Sequence, residues 1–183
     1  APLMQAHALP LPLLMDLLDA FEQDVRYTVA QTRYADRAEL LAYCARSANP
    51  IGRLLLHLYQ VQSDTALQQS DAICSALQLI NFWQDRSQDM ARGRNYLPLH
   101  SDMRTELAYA HTLMNQGLPL VHVLPGRMGW ELRLVVQGGL RILERLIRLS
   151  DAQLNDPLTQ PRPKLSRLDA PVLLWRAWAM SWP

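Results

Sequence analysis

Four polar side chains recur at helical spacing in the segment SALQLINFWQDRSQDMARGRNYLP, residues 75–98. They are Gln78, Asn81, Asp85 and Asp89. At about 100° per residue they share one stripe roughly 80° wide, and apolar residues occupy most of the remaining circumference. A polar stripe on so apolar a helix predicts that the stripe faces an interior cavity rather than bulk solvent.

This stripe has the residue types that bind a metal ion together with a phosphorylated substrate. Two carboxylates one turn apart, Asp85 and Asp89, can share a hard cation, and Mg²⁺ held in this way typically bridges to a substrate phosphate. Asn81 can add an oxygen ligand or orient the phosphate. A D-x-x-x-D pair by itself is more often a solvated helix face, so the pattern alone indicates a candidate metal–diphosphate site and nothing more specific.

The helices that would position this stripe are predicted from the spacing of apolar residues. That spacing predicts helices over about residues 13–27, 37–59, 64–93, 103–116 and 127–150, and a short helix after a proline-rich loop at 155–171. Asp36 is predicted as an N-cap with Glu39 as its capping-box partner, and Pro50 is predicted to kink the second helix. Gly138 and Gly139 lie inside the last long helix and predict a close approach to its backbone. No strand pattern is present, so the predicted fold class is all-α.

The composition excludes several other classes of protein. With 49% hydrophobic and 19% charged residues in 183 positions, the chain is long and apolar enough for one domain with a substantial core. The net charge is +1 and the basic residues form no block, which argues against nucleic-acid binding. The five histidines show no H-x-x-x-H spacing and no cysteine partner, so a zinc site is not expected.

Cysteine and tryptophan positions bear on compartment and partners. Cys44 and Cys74 each lie in a helical stretch, which favours buried thiols in a reducing compartment over a disulfide. No apolar stretch reaches the roughly 18 residues that span a bilayer, and no signal peptide is recognisable. We therefore expect a cytoplasmic protein, peripheral to the inner face of the membrane if it contacts one. Trp175, Trp178 and Trp182 recur at helical spacing; packing of the tail onto the body is the expected role, and shallow membrane contact is the alternative.

Two blocks of sequence together resemble a known family. The pattern Q-x-x-N-x-x-x-D-x-x-x-D followed by G-R-x-Y-L-P is similar to the second aspartate-rich motif of squalene, dehydrosqualene and phytoene synthases. Residues 43–56 (YCARSANPIGRLLL) resemble the family's helix upstream of that motif. The bacterial hydroxysqualene synthase branch of hopanoid biosynthesis is the most similar, through S-A-N-P-I-G-R, N-F-W-Q-D, a Gly-Gly pair before R-I-L, and R-P-K-L at 162–165. The sequence is identified as a member of this superfamily over about residues 13–177.

The resemblance implies an isoprenoid-synthase-type helical bundle around a central cavity, with Mg²⁺ as cofactor. The aspartates of this motif bind Mg²⁺ in the family, which implies that role for Asp85 and Asp89, with Asn81 beside them. Tyr43 matches a tyrosine that family members place by the reaction centre. There it would transfer a proton or stabilise a carbocation through its ring face.

The resemblance also implies residues that contact the substrate. They are Gln78, Ser47, Arg53, Phe82, Arg94 and Tyr96. Arg94 and Tyr96 would contact diphosphate or close a lid. Ser47 is a candidate for guiding a water molecule, although helix capping or packing fits it equally well. Arg53 can reach a diphosphate, although a surface salt bridge is the commoner fate of such an arginine.

Some positions depart from the family pattern. Gln84 and Gln88 stand where many relatives carry Arg before the first aspartate and Glu before the second. Gly138 and Gly139 stand about where many carotenoid-type relatives carry Tyr. Both departures suit the hydroxysqualene branch and disfavour a plain phytoene synthase.

The family's first aspartate-rich motif has no equivalent in this sequence. Asp16 and Asp19 are three apart and Asp24 is five further on, which does not give two carboxylates one turn apart. We therefore expect residues 1–183 to form a single domain equivalent to the C-terminal two-thirds of the fold, lacking its N-terminal helices. By itself this polypeptide is expected to be inactive unless another segment supplies the motif.

The implied reaction is that of a prenyl diphosphate synthase, converting presqualene diphosphate and water to hydroxysqualene and diphosphate. A squalene or phytoene/dehydrosqualene synthase that condenses two prenyl diphosphates, such as farnesyl diphosphate, is one alternative. The absence of G-x-G-x-x-G for a nicotinamide disfavours a squalene synthase that delivers hydride. A non-catalytic scaffold protein of the same fold is the other alternative.

Overall fold

Helix follows helix along the computed structural model, which describes residues 7–180. The helices are α1 (Leu11–Ala30), α2 (Arg37–Ser47), α3 (Asn49–Leu58), α4 (Asp64–Gln84), α5 (Arg86–Ala91), α6 (Met103–Gly117), α7 (Leu120–Val123), α8 (Gly126–Ile147), α9 (Asp151–Asn155) and α10 (Ala170–Ala179). A 3₁₀ turn, Arg167–Asp169, precedes α10. No strand occurs among residues 7–180, which confirms the all-α prediction.

The helix that carries the polar stripe, α4, lies at the centre of the fold. It packs against α2, α3, α6 and α8. Ile73, Leu79, Ile80 and Trp83 project from it on different sides and are all buried. Burial of apolar residues around most of the circumference stabilises the position of α4, so the stripe is carried on a rigid element.

The start of α2 is capped as predicted, with one difference in partners. The side chain of Asp36 accepts a hydrogen bond from the Glu39 backbone N–H at 2.9 Å. The Glu39 carboxylate does not close the reciprocal bond to Asp36. It accepts instead from the Ala35 N–H and the Tyr27 hydroxyl, each at 2.6 Å, and so ties α2 to α1.

Two predicted helices are each divided in the structure. The kink predicted at Pro50 is a full break at Ala48, because Pro50 lacks an N–H and its ring disfavours helical backbone before it. Pro50 lies in the first turn of α3, which begins at Asn49. The helix predicted over 64–93 is interrupted at Asp85. There the carbonyl of Trp83 accepts a hydrogen bond from Gln160 Nε2 at 2.5 Å, while Gly93 (φ 76°) follows the end of α5.

The glycine pair of α8 has two different environments. A Cβ at Gly139 would lie 2.5 Å from Leu77 Cδ2 and 3.3 Å from Met114 Cε, so α4 and α6 approach the backbone closely there. A Cβ at Gly138 would meet only Leu165 Cδ1, at the ordinary contact distance of 3.6 Å. The predicted close approach is confirmed at Gly139 and is wrong at Gly138.

The C-terminal helix buries a small residue more fully than its tryptophans. Ala177 of α10 is fully buried, whereas Trp175 is 64% and Trp178 54% exposed, so more than half of each of these two tryptophans is left open to solvent. Trp182 lies outside the described residues. Both cysteines are free thiols, as predicted. Within the described part of the chain, every helix is too short or too polar to cross a bilayer.

Candidate active site

The polar stripe continues through the interruption at Asp85. The Asp85 N–H donates to the Asn81 carbonyl and the Asp89 N–H donates to the Asp85 carbonyl, each at 2.9 Å. The three side chains therefore lie on successive turns. Partial burial raises the pKa of Asp89, and the neighbouring negative charge of Asp85 raises it further. The like charge of Asp85 thus destabilises the ionised form of Asp89, and a cation beside the two carboxylates would relieve this repulsion.

A groove of about 560 Å³ lies between α4 and α8 beside the stripe. Asn81, Gln84 and Lys164 contribute its polar lining, and its apolar lining includes Leu77 and Leu165. Asn81 is exposed to solvent and is the stripe residue that lines this groove, whereas Gln78, Asp85 and Asp89 lie outside its lining. The predicted position of the whole stripe on an enclosed cavity is therefore wrong for the described residues. The half-buried Gln78 lies one turn earlier on α4.

The carboxylate of Asp85 is paired with an arginine from far along the sequence. Arg162 Nε donates to Asp85 Oδ1, and Arg162 Nη2 donates to Oδ2 at 3.1 Å. Both side chains are about one-third exposed. The sequence pattern does not predict this two-point ion pair. The resemblance includes R-P-K-L at 162–165 but gives Arg162 no partner.

An aromatic cluster adjoins α4. The ring of Phe82 stacks on Tyr96 with centroids 3.8 Å apart, and Tyr43 lies 6.2 Å from each of these two rings. Burial raises the pKa of the Tyr43 hydroxyl to about 12, and the negative charge of Asp24 adds to this effect. Tyr43 therefore keeps its proton at neutral pH and presents a buried aromatic ring.

Asp24 of α1 contacts two of the predicted substrate-binding residues, Tyr96 and Arg94. It accepts a hydrogen bond from the Tyr96 hydroxyl at 2.6 Å, and its other oxygen lies 3.1 Å from Arg94 Nη2. Its side chain is 15% exposed. The available signal was its position on α1, because it shares the inward face with buried Ala20 and Gln23.

Residues 1–101 match the family model described as squalene/phytoene synthase. The chain belongs to this family. Over 85 residues it is 42% identical to the hydroxysqualene synthase of Rhodopseudomonas palustris, a match that covers 46% of this chain and 27% of that protein. Over 95 residues it is 32% identical to the phytoene synthase of Mycobacterium tuberculosis, covering 51% of this chain and 30% of that protein.

The fold is similar to the crystal structure of squalene synthase HpnC from Alicyclobacillus acidocaldarius. The TM-score is 0.71 at 30% sequence identity, and the match covers 79% of this chain and 62% of that one. The chain spans less than a third of the length of the curated squalene/phytoene synthase relatives that it matches.

The residue types of the stripe fit Mg²⁺. Asp85, Asp89 and Asn81 offer the carboxylate and amide oxygens that Mg²⁺ prefers, but the Arg162 guanidinium contacts both oxygens of Asp85. No group of three His, Cys, Asp or Glu side chains within residues 7–180 is arranged to hold a metal ion. Such a site would therefore rely on phosphate or water oxygens for its remaining ligands, as Mg²⁺ sites commonly do.

Two other predicted substrate contacts are placed differently. Arg53 of α3 pairs with Asp71 of α4, with Nη2 2.5 Å from Oδ2 and Nε 2.9 Å from Oδ1, which is the salt-bridge alternative. Ser47 lies one turn from Tyr43. Its Oγ is buried, and its interaction with the Tyr43 hydroxyl opposes the rise in the pKa of Tyr43.

Proposed function

We propose that this chain is part of a Mg²⁺-dependent synthase that ionises a prenyl diphosphate. The observation that carries the proposal is that Asn81, Asp85 and Asp89 lie on successive helical turns and that the first of them, Asn81, lines an apolar groove. Oxygen ligands at one end and an apolar surface at the other match a substrate with a diphosphate head and a hydrocarbon tail.

When bound, Mg²⁺ would neutralise the diphosphate leaving group. The role that we propose for the chain's own residues is to orient and shield the substrate. Asn81 would orient a phosphate oxygen at the groove, and Leu77 and Leu165 would exclude water from the hydrocarbon. The protonated Tyr43 would place an aromatic ring near a developing positive charge, which the ring face stabilises.

Within the family we favour conversion of presqualene diphosphate and water to hydroxysqualene and diphosphate. The supporting evidence is the 42% identity to a hydroxysqualene synthase and the glycine pair on the groove side of α8. Condensation of two prenyl diphosphates to a squalene or phytoene product is the second candidate, because relatives named phytoene synthase and squalene synthase also match.

The deciding experiment uses the full-length product of the gene with Mg²⁺. Presqualene diphosphate and farnesyl diphosphate would be supplied separately and the organic-phase products identified by mass spectrometry. We expect hydroxysqualene from presqualene diphosphate and a loss of about 100-fold or more in Asp85→Asn. Asp64→Asn, at the exposed start of the same helix, is the matched control and should retain activity.

Each other result has a defined meaning. A hydrocarbon product from farnesyl diphosphate would support the second candidate function, condensation of two prenyl diphosphates. No turnover of either substrate in wild type, together with no Mg²⁺ binding, would favour a scaffold protein of the same fold and contradict the proposal.

We also propose peripheral membrane contact through α10. Trp175 and Trp178 are more than half exposed, and the only charged residue of this helix, Arg176, is turned inward to Glu144. An uncharged, tryptophan-bearing face suits the membrane interface. Sedimentation with anionic vesicles should fall in Trp175→Ser, whereas Tyr59→Ser, another exposed aromatic residue, should leave it unchanged.

A further inference from the structure

The segment that carries Arg162 is fastened to the end of α4 on both sides of the arginine. We use the term strap for residues 156–166. Upstream of Arg162, Gln160 Nε2 donates to the Trp83 carbonyl at 2.5 Å. Downstream, the carbonyl of Pro163 accepts from Gln84 Nε2 at 2.5 Å. These two hydrogen bonds, one from a strap side chain and one to a strap carbonyl, hold the strap against the end of α4.

The strap also forms part of the groove. Lys164 and Leu165 line it together with Asn81. The carbonyl of Lys164 accepts a hydrogen bond from Arg145 of α8, so the strap connects α4 to α8 across this end of the groove. The strap thus presents two cations, Arg162 and Lys164, beside the oxygens proposed to bind a metal.

The guanidinium of Arg162 and a metal ion would compete for the same carboxylate oxygens. Arg162 contacts both oxygens of Asp85, which are the atoms that an inner-sphere cation would use. A cation on Asp85 would therefore displace the guanidinium. The strap is fastened on either side of Arg162, to Trp83 through Gln160 and to Gln84 through Pro163. The released arginine side chain would therefore stay within reach of Asp85.

An anion must then replace Asp85 as the partner of this arginine. A diphosphate arrives with the metal and bears several negative charges, and the planar guanidinium fork binds phosphate oxygens at two points. We propose that Arg162 is the resident counter-ion of Asp85 and a diphosphate-binding residue, which transfers from the carboxylate to the substrate diphosphate when a divalent cation binds. This inference rests on the proposed function. It adds diphosphate binding to the structural role of the strap, which connects α4 to α8.

The proposal predicts opposite effects of one substitution on two ligands. In Arg162→Gln the competitor for Asp85 is gone, so the affinity for Mg²⁺ alone should rise by about 3- to 10-fold. The affinity for inorganic diphosphate in excess Mg²⁺ should fall by about tenfold or more, because a two-point charged contact is lost. Arg162→Lys keeps the charge without the fork and should give an intermediate diphosphate affinity.

Titration calorimetry of the full-length protein would measure both ligands, first MgCl₂ alone and then inorganic diphosphate at saturating MgCl₂. Arg167→Gln is the matched control, since it removes one exposed positive charge five residues further on and should change neither affinity by more than about twofold. Urea unfolding of each variant would verify that it is folded.

The outcomes separate this inference from the proposed function. If Asp85→Asn leaves the Mg²⁺ affinity unchanged, Asp85 does not bind the metal, and both the proposed function and this inference are contradicted. If Asp85→Asn abolishes Mg²⁺ binding but Arg162→Gln weakens both ligands equally, or changes neither, the transfer of Arg162 is overturned and the proposed function stands. Tighter Mg²⁺ with weaker diphosphate binding supports the transfer, because a purely structural role would not move the two in opposite directions.

Discussion

The ring of Tyr96 lies almost flat on the ring of Phe82, with centroids 3.8 Å apart and an angle of 10° between the planes. The same tyrosine donates its hydroxyl hydrogen bond to Asp24. The contact joins the turn after α5 to α4 and, through Asp24, to α1. The hydrogen bond can be removed without the stack, which makes its contribution measurable.

We expect Tyr96→Phe to lower the free energy of unfolding by about 1.5–3 kcal/mol, because a hydrogen bond to a charged, mostly buried carboxylate is lost. Urea denaturation followed by circular dichroism would measure the change. Tyr59→Phe, at a tyrosine that is 51% exposed, should stay within about 0.5 kcal/mol of wild type. Equal effects of the two substitutions would show that the Asp24 contact contributes little.

Two glycines should respond to alanine in opposite directions. At Gly117 a Cβ would lie 2.6 Å from the Gln69 carbonyl oxygen and 2.4 Å from Ile73 Cγ1, so Gly117→Ala should destabilise by about 1–3 kcal/mol through overpacking against α4. Gly138→Ala meets only an ordinary contact and should stabilise by about 0.5–1 kcal/mol. Thermal midpoints of the two variants would test this, and a lower midpoint for Gly138→Ala would contradict the assignment.

The ion pair between α2 and α6 should contribute far more than an exposed pair. Glu106 is 1% exposed and accepts from Arg37 Nε and Nη2, each at 2.9 Å. Arg37→Met would leave this carboxylate buried without its partner, and we expect a loss of about 2–4 kcal/mol, since the arginine end is partly solvated.

The control for that prediction is the pair Arg127–Glu131 on α8, whose side chains are 88% and 51% exposed. Arg127→Met should change the free energy of unfolding by no more than about 0.5 kcal/mol. Chemical denaturation of both variants under one set of conditions would compare them. A similar small change at both sites would mean that burial of Glu106 carries no penalty.

Asp169 should make stability depend on pH in the acid range. The Ser166 backbone N–H and then the Arg141 guanidinium hold the pKa of Asp169 below its ordinary value of 3.8. A carboxylate whose pKa is lowered on folding stabilises the protein above the ordinary pKa. This stabilisation is lost as the pH falls through the lower, folded-state pKa.

Asp169→Asn should therefore lower the urea midpoint at neutral pH, and its difference from wild type should narrow below about pH 4. Asp19→Asn, at an exposed position on α1, should differ little from wild type at either pH. A difference between Asp169→Asn and wild type that stays constant down to about pH 3 would rule out this linkage.

Much of the helical structure and one side of the site follow from local patterns. The repeat of Gln78, Asn81, Asp85 and Asp89 predicts a shared helix face because side chains three and four residues apart lie together in any α-helix. The cap at Asp36 and the end of α5 near Gly93 are also predictable from neighbouring residues in the sequence. The break at Asp85 does not follow from a local pattern, because the Trp83 carbonyl beside it accepts a hydrogen bond from a distant residue, Gln160.

By itself, the sequence determined the all-α class, the family and the stripe of metal-binding residue types. Only the tertiary structure decided which partners those residues have. Asp85 forms an ion pair with Arg162, which is 77 residues further along the sequence, and Asp24 accepts a hydrogen bond from Tyr96, which is 72 residues further along. Periodicity shows which side chains share a face, but it does not show which distant segment covers that face, because this depends on how the helices pack.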